Sequence, residues 1–173
     1  MSYSTVLRPM DIIVYNSTGT LIHNCIEWRC LNNAVHCTTV IDSKGLVYDI
    51  DLLRFQKSNI FQVYPDRLIT VHRYRRLFNP ITLLNWSERI FTTCKQYDFV
   101  AQYLLGYVLG ITSKHLADDP NKWTCSEFSY WAFQENGYKV TEIEEVLPMP
   151  RLFRFSTEFE CIYEGTVRGL RKI

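Results

Sequence analysis

One cysteine of this chain stands where a reactive thiolate is favoured. Residues 123–128 (WTCSEF) open a segment with the apolar spacing of a helix, which places Cys125 in the first helical turn. The helix macrodipole and the unpaired backbone N–H groups there both favour the thiolate over the thiol. The N–H of Cys125 can also receive the oxyanion that forms when a nucleophile attacks an acyl carbon. Cys125 is therefore the candidate nucleophile.

A thiolate nucleophile needs a base, and the base needs an orienting group on its other ring nitrogen. His36 lies in the middle of a segment rich in β-branched residues and is the candidate base. Asp49 lies on the following apolar segment and can face His36 across a hairpin. Asp42 and Asp51 are alternatives for this acid. The pattern predicts a Cys–His–Asp site.

The remaining cysteines and histidines have a more ordinary interpretation. A zinc site is conceivable from a group of residues near the first strands, but it contains no Cys-x-x-Cys knuckle. The members of this group are His23, Cys25, Cys30, His36 and Cys37. We therefore expect free thiols, no metal and no organic cofactor.

Two clusters of large or charged side chains have both a structural and a functional interpretation. The arginine cluster is expected to form a solvated strand face. The alternative is that it binds an anionic substrate, such as a carboxylate or a phospholipid headgroup. Its members are Arg73, Arg75 and Arg76. Three of the four tryptophans are expected in the core, although one of them can wall a substrate groove beside Cys125. They are Trp86, Trp131 and the groove candidate Trp123.

Ser126 and Glu127 follow the candidate nucleophile directly. An acid in the first turn of a helix is favourable in itself, so both residues are expected to cap or brace the helix.

The elements that must position the site are strands in the first half of the chain. Residues 11–15 (DIIVY) predict one strand, and residues 35–42 and 46–50 predict a hairpin around the turn at 43–45. Residues 52–55 predict a turn or short helix, and residues 59–64 a further strand.

The second half of the chain has helical spacing. Apolar periodicity predicts helices over residues 80–95, 97–110 and 123–136, and the last ends at Asn136-Gly137. Residues 160–167 predict a final strand. The fold class is therefore α+β, with an antiparallel sheet packed against helices.

Length and composition set the remaining limits. The chain has 173 residues, a formal net charge of +1 and 47% hydrophobic residues. These values predict one packed domain over residues 1–173 and give no electrostatic reason to expect a nucleic-acid partner. No transmembrane segment and no secretory signal are visible, which predicts a cytoplasmic protein, or one of the host cell or virion if its origin is phage or viral.

Four blocks of sequence resemble a known family. Residues 11–14 (DIIV) are similar to its opening strand, residues 35–40 (VHCTTV) to its histidine strand, and residues 124–128 (TCSEF) to its nucleophile helix. Residues 148–159 are similar to its late segment, and residues 97–99 (YDF) to the start of its middle helix. Met10 stands where this family typically has glycine, and Arg151 stands near a common aspartate.

The order of histidine, acid and then cysteine resembles the circularly permuted NlpC/P60 group of papain-like cysteine hydrolases, in its YiiX-like branch with poxvirus and phage relatives. The resemblance implies a single papain-like domain. It also implies a thiol hydrolase that acts on an amide bond, of peptide or peptidoglycan type, through an acyl-enzyme.

Two other functions fit the same resemblance. One is a thiol acyltransferase or esterase directed at lipids. The other is a catalytically silent module of the same fold, used for binding or in a virion.

Overall fold

The described part of the chain contains eight strands and five helices whose bounds lie within it. The computed structural model describes residues 6–19, 24, 33–51, 54–93, 96–97, 122–141 and 148–171. The strands within these ranges are β1 (Ile12–Asn16), β2 (Ala34–Val40), β3 (Leu46–Asp51), β4 (Arg54–Asn59), β5 (Leu68–Tyr74), β6 (Gln96–Tyr97), β7 (Lys122–Trp123) and β8 (Phe159–Thr166). The helices are α1 (Ile60–Val63), α2 (Pro80–Thr93), α3 (Cys125–Gln134), α4 (Leu152–Phe155) and α5 (Val167–Leu170).

Six of the strands form one open antiparallel sheet in the order β4-β3-β2-β1-β5-β8. The short strands β6 and β7 form a separate parallel pair. Helices pack against the six-stranded sheet, so the predicted α+β class is confirmed. β8, which lies near the end of the chain, returns to the sheet and pairs with β5.

Side chains alternate between two cores, one on each face of the sheet. Along β1, Ile12 and Val14 join the core that contains the aromatic side chains of α3. Ile13 and Tyr15 join the opposite core, together with residues of α1 and α5. The alternation fixes the face on which each residue of the candidate site lies.

The predicted hairpin is present, and its turn requires glycine. Gly45 has a φ of +85°, and a Cβ at this position would lie 2.5 Å from a ring carbon of Phe61. β2 and β3 pair at Thr39–Tyr48 and Val40–Val47. Beyond Tyr48, β3 continues along β4 as far as Asp51, while β2 continues along β1. The two strands therefore separate on the side of His36.

The prediction for residues 52–64 is wrong, because strand and helix occur in the opposite order. β4 has too few apolar residues to show a strand pattern, since it is an edge strand with polar side chains. The helical turn α1 follows because the Asn59 side chain accepts a hydrogen bond from the N–H of Phe61 and caps it. Its apolar residues Ile60 and Phe61 are buried against the sheet.

Other predicted elements agree with the structure at the level of their type. The helices at 80–95 and 123–136 correspond to α2 and α3, and the strand at 160–167 corresponds to β8. Of the helix predicted over 97–110, Tyr97 belongs to β6, and the remainder lies outside the described residues.

Candidate active site

The hairpin brings His36 and Asp49 into contact. Since Thr39 faces Tyr48, the register places Asp49 beside Thr38, on the same face of the sheet as His36. The His36 Nε2 atom lies 3.0 Å from Asp49 Oδ1. The distance is that of a hydrogen bond between an imidazole and a carboxylate.

Two hydroxyl groups hold the other oxygen of Asp49. Ser58 donates to Asp49 Oδ2 at 2.9 Å, and Tyr64 donates to the same oxygen at 3.1 Å. Burial alone would raise the pKa of Asp49, but the hydrogen bonds from His36, Ser58 and Tyr64 lower it below its usual value. Asp49 is thus held as a buried carboxylate whose oxygens all have partners.

An aromatic side chain packs beside the imidazole. Tyr15 faces His36 across β1 and β2, with ring centroids 5.3 Å apart. The Tyr15 hydroxyl forms a hydrogen bond with Thr38 Oγ1 at 3.2 Å. The Tyr64 ring packs edge-on against the Tyr15 ring, with centroids 5.1 Å apart. These contacts restrict rotation of the His36 ring.

Cys125 is the first residue of α3, and a capping box fixes the start of this helix. Thr124 Oγ1 accepts from the N–H of Glu127 at 3.2 Å, while Glu127 Oε2 accepts from the N–H of Thr124 at 3.0 Å. The predicted bracing role of Glu127 is confirmed. The prediction for Ser126 is wrong, because its buried hydroxyl has no partner in the part of the chain that the structure describes. Ser126 is already inside the helix, so Thr124 supplies the cap.

The Cys125 sulfur reaches residues from both faces of β2. It interacts with the His36 imidazole on one face and with the thiol and backbone N–H of Cys37 on the other. The Cys125 sulfur can reach both faces because β3 no longer pairs with β2 beside His36 and Cys37. Asp49 takes Nε2 of His36, so Nδ1 is the ring nitrogen left for the sulfur.

These contacts favour an ion pair. The hydrogen bond from Cys37 and the charge of His36 outweigh burial and hold the pKa of Cys125 well below its usual value. Burial opposes the charge on His36, but the Cys125 thiolate and the Asp49 carboxylate raise the pKa of His36 to about 10. Both shifts favour a thiolate and an imidazolium at neutral pH.

Of the two acids considered as alternatives to Asp49, one holds a turn and the other has a side chain outside the described part of the chain. The Asp42 carboxylate accepts from the N–H groups of Lys44 and Leu46 and so holds the hairpin turn. Asp51 ends β3 opposite Arg54, and its side chain lies outside what the structure describes.

The arginine cluster is largely structural. The prediction of a solvated face is wrong for Arg73, which forms a bidentate salt bridge with the buried Asp11. Its Nε and Nη2 atoms donate to the two carboxylate oxygens at 2.9 and 2.7 Å. Arg75 and Arg76 are exposed, as predicted. Arg76 also donates to Glu158 at 2.7 Å.

Among the tryptophans, Trp86 lies in the core, as predicted. Trp123 is partly buried and meets Trp86 edge-on, with ring centroids 5.8 Å apart. Trp131 is partly buried against the same core.

Within the described ranges, no three His, Cys, Asp or Glu side chains are grouped so as to hold a metal ion. Three members of the zinc group considered above, His23, Cys25 and Cys30, lie outside those ranges. No helix among the described residues is long and apolar enough to cross a membrane.

Comparison of the sequence with protein-family models and with curated proteins gives no match. Comparison of the structure gives a clear one. The class it defines is an α+β protein with an antiparallel sheet packed against helices. A solved structure with a similar fold is that of the metalloprotein YiiX from Escherichia coli O157:H7, a protein with a domain of unknown function. The two folds superpose with a TM-score of 0.67 over 92% of this chain and 98% of that chain, at 12% sequence identity. The resemblance to the YiiX-like branch is thereby supported at the level of the fold.

Proposed function

We propose that this protein is a thiol hydrolase that cleaves an amide or ester bond through an acyl-enzyme on Cys125. One observation carries the proposal: His36 is hydrogen-bonded to Asp49 at 3.0 Å and interacts with Cys125, which is the first residue of a helix. Nucleophile, base and orienting acid in mutual contact are the arrangement that covalent catalysis at an acyl carbon requires.

Acylation uses the ion pair directly. The Cys125 thiolate attacks the acyl carbon, and the carbonyl oxygen takes up negative charge. The N–H of Cys125 has no acceptor within the helix, because it lies in the first turn, and can donate to that oxygen. The His36 imidazolium then gives its proton to the departing amine or alcohol, and a thioester on Cys125 remains.

Deacylation reverses the role of the histidine. His36, now neutral, takes a proton from water, and the resulting hydroxide attacks the thioester. Cys125 departs as a thiolate and His36 is again an imidazolium, so the starting ion pair is restored. Asp49 keeps the ring in one orientation throughout and stays ionised.

The substrate proposed for this site is an amide of peptide or peptidoglycan type. If an alcohol or amine enters in place of water, the same thioester gives acyl transfer, which is the lipid-directed alternative. The identity of the acceptor therefore separates the two activities.

The acyl-enzyme can be tested without the natural substrate. p-Nitrophenyl acetate should release one equivalent of nitrophenolate in a rapid burst, and intact-mass and peptide mapping should place one acetyl group on Cys125. Cys161→Ser is the matched control, since Cys161 is exposed in the structure and should not affect the burst. Cys125→Ala should abolish the burst.

Two further variants test the roles of the partners. His36→Ala should slow the burst by about a hundredfold or more, as expected for loss of a base that also activates the nucleophile. Asp49→Asn should slow it at least tenfold while Cys125 still reacts with iodoacetamide, because an orienting acid does not itself react. A wild-type protein without a burst and without acetylated Cys125 would favour the silent binding module.

A further inference from the structure

A second thiol contacts the candidate nucleophile. Cys37 lies on the face of β2 that packs against α3, in the same buried cluster as Cys125, and the two thiols interact. Ser129, one helical turn after Cys125, links the two residues. Its hydroxyl donates to the Cys125 carbonyl at 3.0 Å and lies 3.9 Å from the Cys37 sulfur.

The position of Cys37 is fixed by its neighbours. Ser129 also pairs with Thr39 Oγ1 at 2.8 Å, so β2 and the first turn of α3 are joined at two points. Cys37 and Cys125 are both buried, at 1% and 5% exposure. Ser129 therefore links the strand that carries Cys37 to Cys125, and both cysteines lie at one contact between β2 and α3.

We propose that Cys37 is a resolving cysteine, which forms a reversible disulfide with Cys125 when the protein meets a peroxide. The disulfide stores the nucleophile in an inactive form and keeps it from irreversible oxidation. The inference rests on the same thiolate as the proposed function, but it requires no substrate.

The reaction proceeds in two balanced steps. The Cys125 thiolate attacks one oxygen of hydrogen peroxide, the O–O bond breaks, and Cys125 becomes a sulfenic acid. The departing hydroxide takes the proton of the His36 imidazolium and leaves as water. The Cys37 sulfur then attacks the Cys125 sulfur, an S–S bond forms, the S–O bond breaks, and hydroxide leaves with the Cys37 proton as a second water. Each disulfide thus consumes one peroxide.

A reductant reverses the block. A thiolate of a dithiol reagent attacks one sulfur of the buried disulfide, and exchange returns both cysteines to the reduced state. Without Cys37, no described thiol contacts Cys125, and the sulfenic acid is open to further oxidation to sulfinic and sulfonic acids.

The experiment uses the 173-residue chain and about ten equivalents of hydrogen peroxide, an excess that allows overoxidation of an unprotected thiolate. Remaining thiols are blocked with N-ethylmaleimide under denaturing conditions, and peptides are mapped without reduction. We expect a cross-linked peptide that contains Cys37 and Cys125, loss of the p-nitrophenyl acetate burst, and full recovery with dithiothreitol. Cys161→Ser should behave like wild type in all three measurements.

The variant Cys37→Ser keeps a hydroxyl donor beside the Cys125 sulfur. In the same excess of peroxide, which supplies the second and third equivalents that sulfinic and sulfonic acid require, it should carry one of these acids on Cys125, and dithiothreitol should not restore it. Cys37→Ala serves the same purpose if the serine variant does not fold.

Two results would overturn the proposal: a wild-type Cys125 that is overoxidised as fast as in Cys37→Ser, or a Cys125 that is linked to Cys25, Cys30, Cys94 or Cys161 instead. The outcome is distinct from that of the proposed function. A protein without a burst before oxidation can still form the disulfide, and a protein with a burst can still fail to form it.

Discussion

At the scale of single residues, hydrogen-bond donors and a nearby positive charge favour the thiolate form of Cys125, and exposure to solvent does not. The sulfur is almost completely buried, which by itself would raise its pKa. The thiol and N–H of Cys37 and the imidazolium of His36 reverse that effect. The resulting charge separation sets the range of pH over which the pair exists.

The reactivity of Cys125 should therefore depend weakly on pH near neutrality. Its pKa is lowered, so the thiolate persists as the pH falls below the usual value of a thiol, and His36 stays protonated until the pH rises through about 10. We expect the rate of iodoacetamide labelling at Cys125 to change less than about threefold between pH 6 and 8. Free cysteine, with a pKa of about 8.5, changes almost tenfold per pH unit.

Peptide mass mapping at short reaction times measures the rate at each cysteine. His36→Ala should restore a steep rise with pH at Cys125. Acylation by p-nitrophenyl acetate should also fall as the pH rises through about 10, where the imidazolium is lost. A steep labelling profile in the wild-type protein would contradict the ion pair.

A second residue-scale effect concerns the backbone before the first strand. Met10 has a φ of +70°, in the left-handed region that favours glycine, and its side chain is completely buried in the core that contains α3. The left-handed conformation costs a residue with a Cβ about 1 kcal/mol. The buried side chain offsets that cost, since loss of a buried methionine typically destabilises by about 2–5 kcal/mol. This explains how methionine occupies a position where glycine is typical of the resembled family.

Met10→Gly and Met10→Ala separate the two contributions. Both variants should have a lower free energy of unfolding than wild type, because both lose the buried side chain. The glycine variant should be the more stable of the two by about 1 kcal/mol, which reverses the usual order of alanine and glycine. Urea unfolding measures the difference, and an alanine variant as stable as the glycine variant would show that the backbone at Met10 is unstrained.

The three candidate site residues could be chosen from the sequence because each has a local signal. Cys125 opens a helix, and His36 and Asp49 lie on the two arms of a short hairpin. The residues that complete the site could not be chosen in the same way. Cys37, Tyr15, Ser58 and Tyr64 reach it through strand register and through the separation of β2 from β3, which depend on long-range packing.

At the scale of elements, the start of α3 carries both structure and chemistry. The capping box joins Thr124 and Glu127, whereas the sequence reading expects Ser126 and Glu127 to cap or brace the helix, so only Glu127 is predicted correctly. The order of β4 and α1 leaves no clear sequence signal, because an edge strand with polar side chains lacks the alternation on which strand prediction depends.

Thr124→Ala should lower the free energy of unfolding by about 1–2 kcal/mol, since it removes the acceptor for the N–H of Glu127. Thr124→Ser keeps that acceptor and should be within about 0.5 kcal/mol of wild type. Urea titration provides the comparison. If serine and alanine destabilise equally, the lost contribution is the packing of the buried threonine methyl group rather than the cap.

At the scale of the whole molecule, residues near the end of the chain complete a sheet begun near its start. β5 joins β1 on one side and β8 on the other, so the sheet forms through pairings that are distant in sequence. Arg154 of α4 reinforces this closure. Its guanidinium donates to the side chain of Thr70 in β5 and to the side chains of Asn16 and Asn33, at the adjoining ends of β1 and β2.

Loss of this tie should destabilise the entire fold. Arg154→Ala should lower the free energy of unfolding by about 2 kcal/mol, because it removes three hydrogen bonds from a charged donor, two of which are partly buried. Arg154→Lys should recover less than half of that loss, since an ammonium group cannot reproduce the planar fork of a guanidinium.

Arg168 provides the matched control, because its pair with Asp66 at 3.0 Å is exposed on both sides. Arg168→Ala should cost less than about 0.5 kcal/mol. Urea unfolding of the three variants, followed by fluorescence and by circular dichroism, measures these differences. The closure argument requires Arg154→Ala to be the most destabilising of the three, with the two probes changing together. Equal effects of Arg154→Ala and Arg168→Ala would mean that the strands hold the sheet closed without Arg154.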